Sequence, residues 1–335
     1  SSASLKIGTT CGGGMAFWDI NKDGHLDLAV GDHCNGGFVF LGDGQGGWSQ
    51  AASKIYPVEI AKQLEANDYM GAEDIDLGDV NGDGHVDMVM GATDKGGISL
   101  FYGDGTGSNW KYQKSGLPTT KVCNRVEFVD INGDGKLDLA ASYLDGPRVW
   151  LGDGAGGWKA GSDGLPTPFM GGLYRGQAIA DINKDGRKDL IVANWVDGPE
   201  IYFQKADGSW AKSPDVFPQL TGGAIGLDVG DVDGDGNLDI VLSGRKNRDE
   251  VGYVYGLFFL QGDGTGNFRW IENSGLPSDG LSFTWGVSLA DINKDGVLDF
   301  AAGSGGIVAA DPNRSEPTIA PRVLVYLGQA QKSTP

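Results

Sequence analysis

The sequence predicts an all-β fold: a six-bladed β-propeller of four-stranded antiparallel blades, with one acidic loop per blade. Three observations predict it. One nine-residue phrase recurs six times, beginning at Asp19, Asp79, Asp130, Asp181, Asp231 and Asp291, with starts 60, 51, 51, 50 and 60 residues apart. A period of about 40 to 60 residues with short strands and glycine turns is that of a propeller blade. Glycine supplies 58 of the 335 residues against 13 prolines and without a G-X-Y period, which excludes collagen and indicates many tight turns. Hydrophobic residues are 40% and aromatic residues 10%, which excludes a disordered chain. No 3.6-residue apolar pattern of useful length supports a helical solenoid.

Within each repeat the order is constant. A short apolar strand enters the acidic loop (MAFWD, IDLGD, VEFVD, QAIAD, LDVGD, VSLAD), and a second leaves it (LDLAV, VDMVM, LDLAA, KDLIV, LDIVL, LDFAA). A third carries aromatic residues, and in most copies a G-D-G-x-G turn then leads to a polar fourth strand opened by Trp48, Trp110, Trp158, Trp210 or Phe268. The first two strands are apolar enough to be buried between blades, and the fourth suits an outer edge. The recurring rings at the start of the fourth strand are expected to pack between blades. The reading is one propeller domain over 1–335, with blades at about 11–56, 72–118, 122–166, 173–218, 222–277 and 283–328. The last repeat stops after VLVYLGQ without a fourth strand. Residues 1–10, which hold SLKIG from Ser4 to Gly8, either close the ring as that strand or are donated to a neighbouring molecule.

The recurring phrase has the chemistry of a cation loop. In D-x-[DN]-x-D-G-x-x-D, side-chain oxygens at positions one, three, five and nine can converge on one ion, the carbonyl of position seven adds a ligand, and glycine at six permits the sharp turn. The first loop offers Asp19, Asn21, Asp23, His25 and Asp27, and the second Asp79, Asn81, Asp83, His85 and Asp87. The third offers Asp130, Asn132, Asp134, Lys136 and Asp138, and the fourth Asp181, Asn183, Asp185, Arg187 and Asp189. The fifth offers Asp231, Asp233, Asp235, Asn237 and Asp239, and the sixth Asp291, Asn293, Asp295, Val297 and Asp299. All-oxygen donors rich in carboxylate suit calcium, and up to six ions are expected. A glutamate at position twelve and flanking helices, the marks of an EF-hand, are missing.

Charge agrees with this count. There are 45 acidic and 26 basic residues, a net charge of −19, which argues against a nucleic-acid surface. The loop carboxylates also number 19, so six bound calcium ions would leave about −7, usual for a soluble domain. Unfilled loops hold clustered, mutually repelling carboxylates, so the metal is expected to be structural.

The loops, the apolar strand after them and the G-D-G-x-G turn together resemble the FG-GAP or VCBS repeats of integrin α-chain propellers and of many secreted bacterial proteins. The resemblance covers essentially the whole chain. It implies calcium on one face of the propeller. Integrin propellers have one blade more and fewer complete calcium loops, so integrin-type partner recognition is not implied.

Irregular length falls on the opposite face: the link Tyr56 to Gly71, the loop Gly244 to Gly252 and the segment Gly303 to Pro321. Long loops on a rigid scaffold are where recognition sits. The same face is expected to carry Tyr69, Arg125, Tyr143, Tyr174, Arg175, Trp195, Arg245, Arg248 and Trp285. Rings beside arginines suit sugar faces, carboxylated glycans or a protein hot spot, while some of these residues would only fill the mouth of the channel. Of three cysteines, Cys11 and Cys34 face each other across the first hairpin and can form a disulfide in an oxidising compartment, leaving Cys123.

Functionally this reads as a non-enzymatic, calcium-stabilised binding, adhesion or self-assembling module, extracellular or at the cell surface. Its partner is a glycan, an extracellular protein or the chain itself. A lectin on the face opposite the calcium loops is the first alternative. A calcium-dependent polysaccharide lyase or hydrolase is the second, with no nucleophile elbow, phosphate loop or zinc motif to support it. No stretch approaches the 18 or so apolar residues of a membrane span. The chain begins with serine and shows no signal-like segment, which fits either a removed leader or a trimmed start.

Overall fold

The computed structural model describes residues 13–57, 71–92, 96–166, 173–214, 217, 220, 223–248, 252–281, 284–304 and 322–328. The contacts divide the chain into two compact units, Ser1–Asp163 and Gly164–Pro335. Every regular element among the described residues is a strand, and each sheet is one antiparallel blade in chain order.

In the first unit, the first blade is β1 (Met15–Trp18), β2 (Asp27–Asp32), β3 (Gly36–Gly42) and β4 (Trp48–Ile55). The second is β5 (Ala72–Gly78), β6 (Asp87–Ala92), β7 (Ile98–Gly103) and β8 (Trp110–Gln113). The third is β9 (Cys123–Val129), β10 (Asp138–Tyr143), β11 (Gly146–Gly152) and β12 (Trp158–Ala160). In the second unit, the fourth blade is β13 (Tyr174–Ala180), β14 (Asp189–Asn194), β15 (Gly198–Gln204) and β16 (Trp210–Lys212). The fifth is β17 (Ala224–Gly230), β18 (Asp239–Arg248), β19 (Gly252–Gly262) and β20 (Phe268–Trp270). The sixth is β21 (Thr284–Ala290), β22 (Asp299–Ser304) and β23 (Arg322–Tyr326), three strands among the described residues. The expected closing or donated strand at 1–10 lies outside the described residues.

Alternation along the strands explains why the blades stack. Successive side chains of a strand point to opposite faces, so a strand that is apolar throughout serves two interfaces. In the first unit, Met88, Met90 and Phe101 join the core shared with the first blade. Val89, Ile98 and Leu100, at the alternate positions, join the core shared with the third. The second unit repeats the scheme: Ile240, Leu242 and Phe258 pack toward the fourth blade, and Val241, Leu257 and Phe259 toward the sixth. Strands β2, β6, β10 and β14 are buried at every residue. Burying such side chains contributes about 1.5–3 kcal/mol each.

The first strands differ in burial. β5 and β17 are mostly buried. In contrast, β1 exposes Met15 (61%) and Phe17 (51%), and β21 exposes Trp285 (49%). The fourth-strand rings do pack: Trp110 lies on the core shared by the first two blades. Trp158 stacks on Phe128 of β9 with centroids 6.2 Å apart, and Trp210 is buried.

Two inner-strand carboxylates latch blade to blade. Asp76 accepts the Leu77 N–H (2.9 Å) and, across the interface, the Phe128 N–H (2.7 Å). Asp228 does the same with Val229 (2.8 Å) and Leu289 (2.8 Å). The sequence places both acids third before the loop aspartate, inside an apolar strand, where a buried acid stays only if paired. The Asp228→Ala substitution leaves the Leu289 N–H without its acceptor. It is expected to destabilise the fold by about 1–3 kcal/mol in chemical denaturation, with Asp228→Asn losing less because one oxygen remains.

Candidate functional site

Each acidic loop joins the first and second strands of its blade, and the strand register sets its size. The residue before position one pairs with position nine: Trp18 with Asp27, Gly78 with Asp87, Val129 with Asp138, Ala180 with Asp189, Gly230 with Asp239 and Ala290 with Asp299. Inside this span all six loops share one network. The position-one carboxylate accepts the N–H of glycine at six at 2.8–3.0 Å. The position-three oxygen accepts the N–H of position five at 2.8–3.1 Å. The position-five carboxylate accepts the N–H of position seven at 2.7–3.0 Å. The side-chain oxygens of positions one, three and five are thereby turned toward the N–H groups of their own loop.

Position nine is different. Asp27, Asp87, Asp138, Asp189, Asp239 and Asp299 are fully buried. One oxygen of each accepts the position-two N–H at 2.8–3.3 Å. The other accepts a third-strand N–H, from Gly42, Gly103, Gly152, Gln204, Gly262 or Gly328, at 2.8–3.2 Å. These third-strand glycines are needed for space: a Cβ on Gly103 would lie 2.2 Å from the Val86 carbonyl oxygen. Position nine was expected as a metal ligand alone; its carboxylate also fastens the loop to two strands, and in four loops the oxygen that takes the position-two N–H accepts the position-three N–H as well, at 3.3–3.4 Å, so the oxygen on the third strand is the one with a lone pair to spare for an ion.

Burial raises the pKa of four of these carboxyls. Asp87 is pushed up to about 7, and Asp189 and Asp239 to about 6, from an ordinary 3.8, because the buried carboxylate loses water and its N–H donors only partly compensate. Asp138 moves the same way for the same reason.

Position four imposes a backbone constraint that the sequence reading did not note. It lies in the left-handed region in every loop, with φ of 74°, 76° and 77° at Gly82, Gly133 and Gly234, but also 60°, 60° and 62° at Lys22, Lys184 and Lys294. A side chain there costs about 1–2 kcal/mol. Lys22 and Lys184 reach the neighbouring loop of their own unit, at the Gly84 carbonyl and at Asn237 Oδ1 (2.7 Å).

The fifth loop tests whether these residues suit a metal. Asp231, Asp233 and Asp239 offer oxygens that all lie within 4.8 Å of one another. Asp231 Oδ1 is buried and has no hydrogen-bond partner among the described residues. A buried anionic oxygen without a donor is costly unless a cation meets it. An all-oxygen, mostly carboxylate set is the donor set of a hard divalent cation. The residues therefore fit calcium. The fourth loop is the least open, since Arg187 at position seven makes an ion pair with Asp185 at position five.

At the opposite end of the sheets the second unit gathers a cationic and aromatic cluster. Arg175, at the bulge where β13 pairs irregularly with β14, stands 5.8 Å from the Trp195 ring centroid and 4.8 Å from that of Trp285. Arg245 of β18 stands 4.4 Å from Trp195 and 4.1 Å from Tyr253 of β19, and Trp195 meets Tyr255 at 6.4 Å. Close backbone approach makes this possible: Gly223 (φ 131°) accepts the Arg245 N–H at 2.8 Å, and a Cβ there would lie 2.3 Å from the Trp195 carbonyl oxygen.

Of the residues expected on this face, Arg175, Trp195, Arg245 and Trp285 are brought together. Tyr143 and Tyr174 are core residues instead, their hydroxyls donating to the Pro118 carbonyl (3.2 Å) and to Glu200 (3.1 Å), and burial pushes both phenols up. Arg125 makes an ion pair with Asp74 in the first unit. Tyr69 and the Arg248 side chain lie outside the described residues. Tyr253 and Tyr255 were missed because the segment Gly244 to Gly252 was read as a loop. It is a hairpin extension, with Arg245 paired to Tyr255 and Asn247 to Tyr253, and the i, i+2 spacing of the tyrosines is the signal that placed them on one face. Cys34 is disulfide-bonded; Cys11 lies outside the described residues. Cys123 is free and buried, and burial pushes its thiol well up, away from the reactive thiolate.

The FG-GAP-like repeat pattern matches residues 19–90, 79–141 and 181–242, more than half of the chain. The chain belongs to the FG-GAP-like repeat family. Each matched segment begins at loop position one of one blade and ends within the second strand of the next, so each contains two acidic loops. No curated protein sequence matches. Among solved structures, an Agrocybe aegerita lectin that recognises non-reducing terminal N-acetylglucosamine is similar at TM-score 0.54 and 15% identity, over 88% of this chain and 76% of that one. Saccharomyces cerevisiae Sqt1 is similar at TM-score 0.51 and 11% identity, over 83% of this chain and 65% of that one. BBS1N, solved in complex with ARL6DN, is similar at TM-score 0.52 and 9% identity, over 91% and 79%. At these identities the likeness shows the fold.

Three outcomes are expected from the loops. The carboxyls of Asp87, Asp189 and Asp239 ionise at higher pH in the folded than in the unfolded protein, so their contribution is fully present below about pH 4 and is lost as pH rises through about 6 to 7. The chelated protein should therefore melt higher at pH 5 than at pH 7. Calcium needs the ionised carboxylates, so its affinity, measured by titration calorimetry, should fall over the same interval as pH drops. Separately, Lys294→Gly should stabilise the chelated protein by about 1 kcal/mol, since it removes the left-handed side chain, and a neutral or lower denaturation midpoint would count against that strain.

Proposed function

We propose that the chain is a non-enzymatic, extracellular, calcium-stabilised binding module whose recognition end lies opposite its ion loops. The observation that carries the metal reading is the fifth loop, where three converging carboxylates include a buried oxygen without a donor. The same loop network in the other five copies extends it to as many as six ions. Each ion would be held by the side-chain oxygens of positions one, three, five and nine. Calcium there supplies charge neutralisation, removing the repulsion among carboxylates that the fold has already gathered. The disulfide at Cys34 supports an oxidising, extracellular setting.

Binding of glycans is supported by the arginines and rings that converge at the other end of the second unit. Self-assembly is a second reading, supported by the sixth blade. Among the described residues β23 is an edge strand, and it exposes Val323 (76%) and Val325 (51%), a template for strand addition.

Melting with calcium and with excess EGTA tests the metal. If each loop is filled at ten times its dissociation constant, linkage contributes about 1.4 kcal/mol per ion and about 8 kcal/mol for six. A large drop in melting temperature on chelation is expected, and an unchanged curve would refute the calcium reading. Light scattering of the calcium-loaded protein separates the two partner readings: a monomeric mass supports a binding module, and ordered polymers support assembly.

A further inference from the structure

The arginine and aromatic cluster of the second unit is built differently from the other charged sites. Arg148 and Arg187 spend their charge on Asp145 and Asp185. Arg245 instead lies with its guanidinium over the rings of Trp195 and Tyr253, at 4.4 and 4.1 Å, and makes no ion pair among the described residues. Its Nε is buried without a hydrogen-bond partner among them. Rings hold a guanidinium by its faces, which fixes its plane without neutralising it and leaves the N–H edge as the place where an acceptor docks. Arg175, stacked between Trp195 and Trp285, adds a second cation to the same cluster. Two cations sharing one indole, in a chain with net charge −19, form a local positive site where an anion is the complementary ligand.

The rings narrow the choice of anion. Trp285 is 49% and Tyr253 51% exposed, so flat aromatic faces flank the cations and remain open to solvent. A planar carboxylate matches the guanidinium edge in a two-bond fork. The C–H face of a pyranose ring stacks on an aromatic face. A sugar that carries a carboxylate satisfies both demands. We propose that Arg175, Trp195, Arg245, Tyr253 and Trp285 form a binding site for a carboxylated sugar, a uronic or sialic acid residue of a glycan, with the carboxylate on Arg245 and the ring on Trp285. This rests on the reading of the chain as an extracellular binding module. It adds the ligand class and the residues that select it.

The test is titration calorimetry of the whole chain at fixed free calcium with trigalacturonate, sialyllactose, maltotriose and triglutamate. Binding of either acidic sugar, at least tenfold tighter than maltotriose and triglutamate, is expected, and the stronger arm shows whether the source is a uronate or a sialic acid. Arg245→Ala and Trp285→Ala should each weaken it at least tenfold. Arg245→Lys should also lose most of the affinity, because it keeps the charge without the fork. Trp285 is half exposed, so Trp285→Ala tests the site even if an Arg245 variant folds poorly, and melting curves of each variant report folding. Equal affinity for maltotriose or triglutamate, absence of binding, or wild-type affinity in folded Trp285→Ala and Arg245→Ala would overturn the proposal. Loss of sugar binding alongside an intact melting response to EGTA overturns the glycan site alone, whereas failure of the metal reading appears only in the EGTA curves.

Discussion

The rest of each blade depends on the carboxylate at loop position nine. It is buried, and its two oxygens take two backbone N–H groups from different places: one from the start of the loop and one from the third strand. A single side chain therefore fixes the loop's closure, the start of the second strand and the level at which the third strand passes. The geometry is exacting enough that five of the six third-strand donors are glycines, crowded against the carbonyl of position eight. Leaving either N–H unpaired inside the sheet would cost about 1–3 kcal/mol, and the arrangement recurs in every blade.

That clamp has a second consequence. By holding a carboxylate in a dry place beside two or three others, the fold accumulates repulsion that burial alone cannot relieve. The pKa values of Asp87, Asp189 and Asp239 are raised first by this loss of water and further by the neighbouring carboxylates. A hard cation would relieve the repulsion, because the loop oxygens that accept a single N–H retain a lone pair. If the proposed ions bind, ion binding and blade folding would be linked, as for structural metals generally. The Asp76 and Asp228 latches then carry order from one blade to the next within each unit.

The two ends of the blades divide the labour. Loop ends repeat, since every blade must solve the same turn with the same oxygens. The other ends vary: the first unit pairs Arg125 with Asp74, while the second stacks arginines on rings. Repetition made the loop ends legible. Asp19 through Asp27 and its five copies could be located and given roles from spacing alone, because a nine-residue turn closes on its own residues. Tyr143 and Tyr174 could not be sorted from Trp195 and Trp285 in the same way. All four lie near strand ends, and which of them turns inward depends on the bulges after Tyr174, Ala224 and Thr284, where the register shifts.

What the sequence determined by itself was therefore the local, periodic part: six blades, the strand order in each, the loop oxygens and the glycines at the turns. These follow from hydrophobic alternation and from hydrogen bonds between residues fewer than ten apart, so a short window contains all the partners. The tertiary structure alone decided that position nine also binds the third strand, that Asp76 and Asp228 reach into the next blade, and that Arg245 meets Trp195 across two blades. Those contacts join residues separated by about fifteen to sixty positions, and their distances are set by how sheets stack and where a bulge rotates a side chain, which no local pattern encodes.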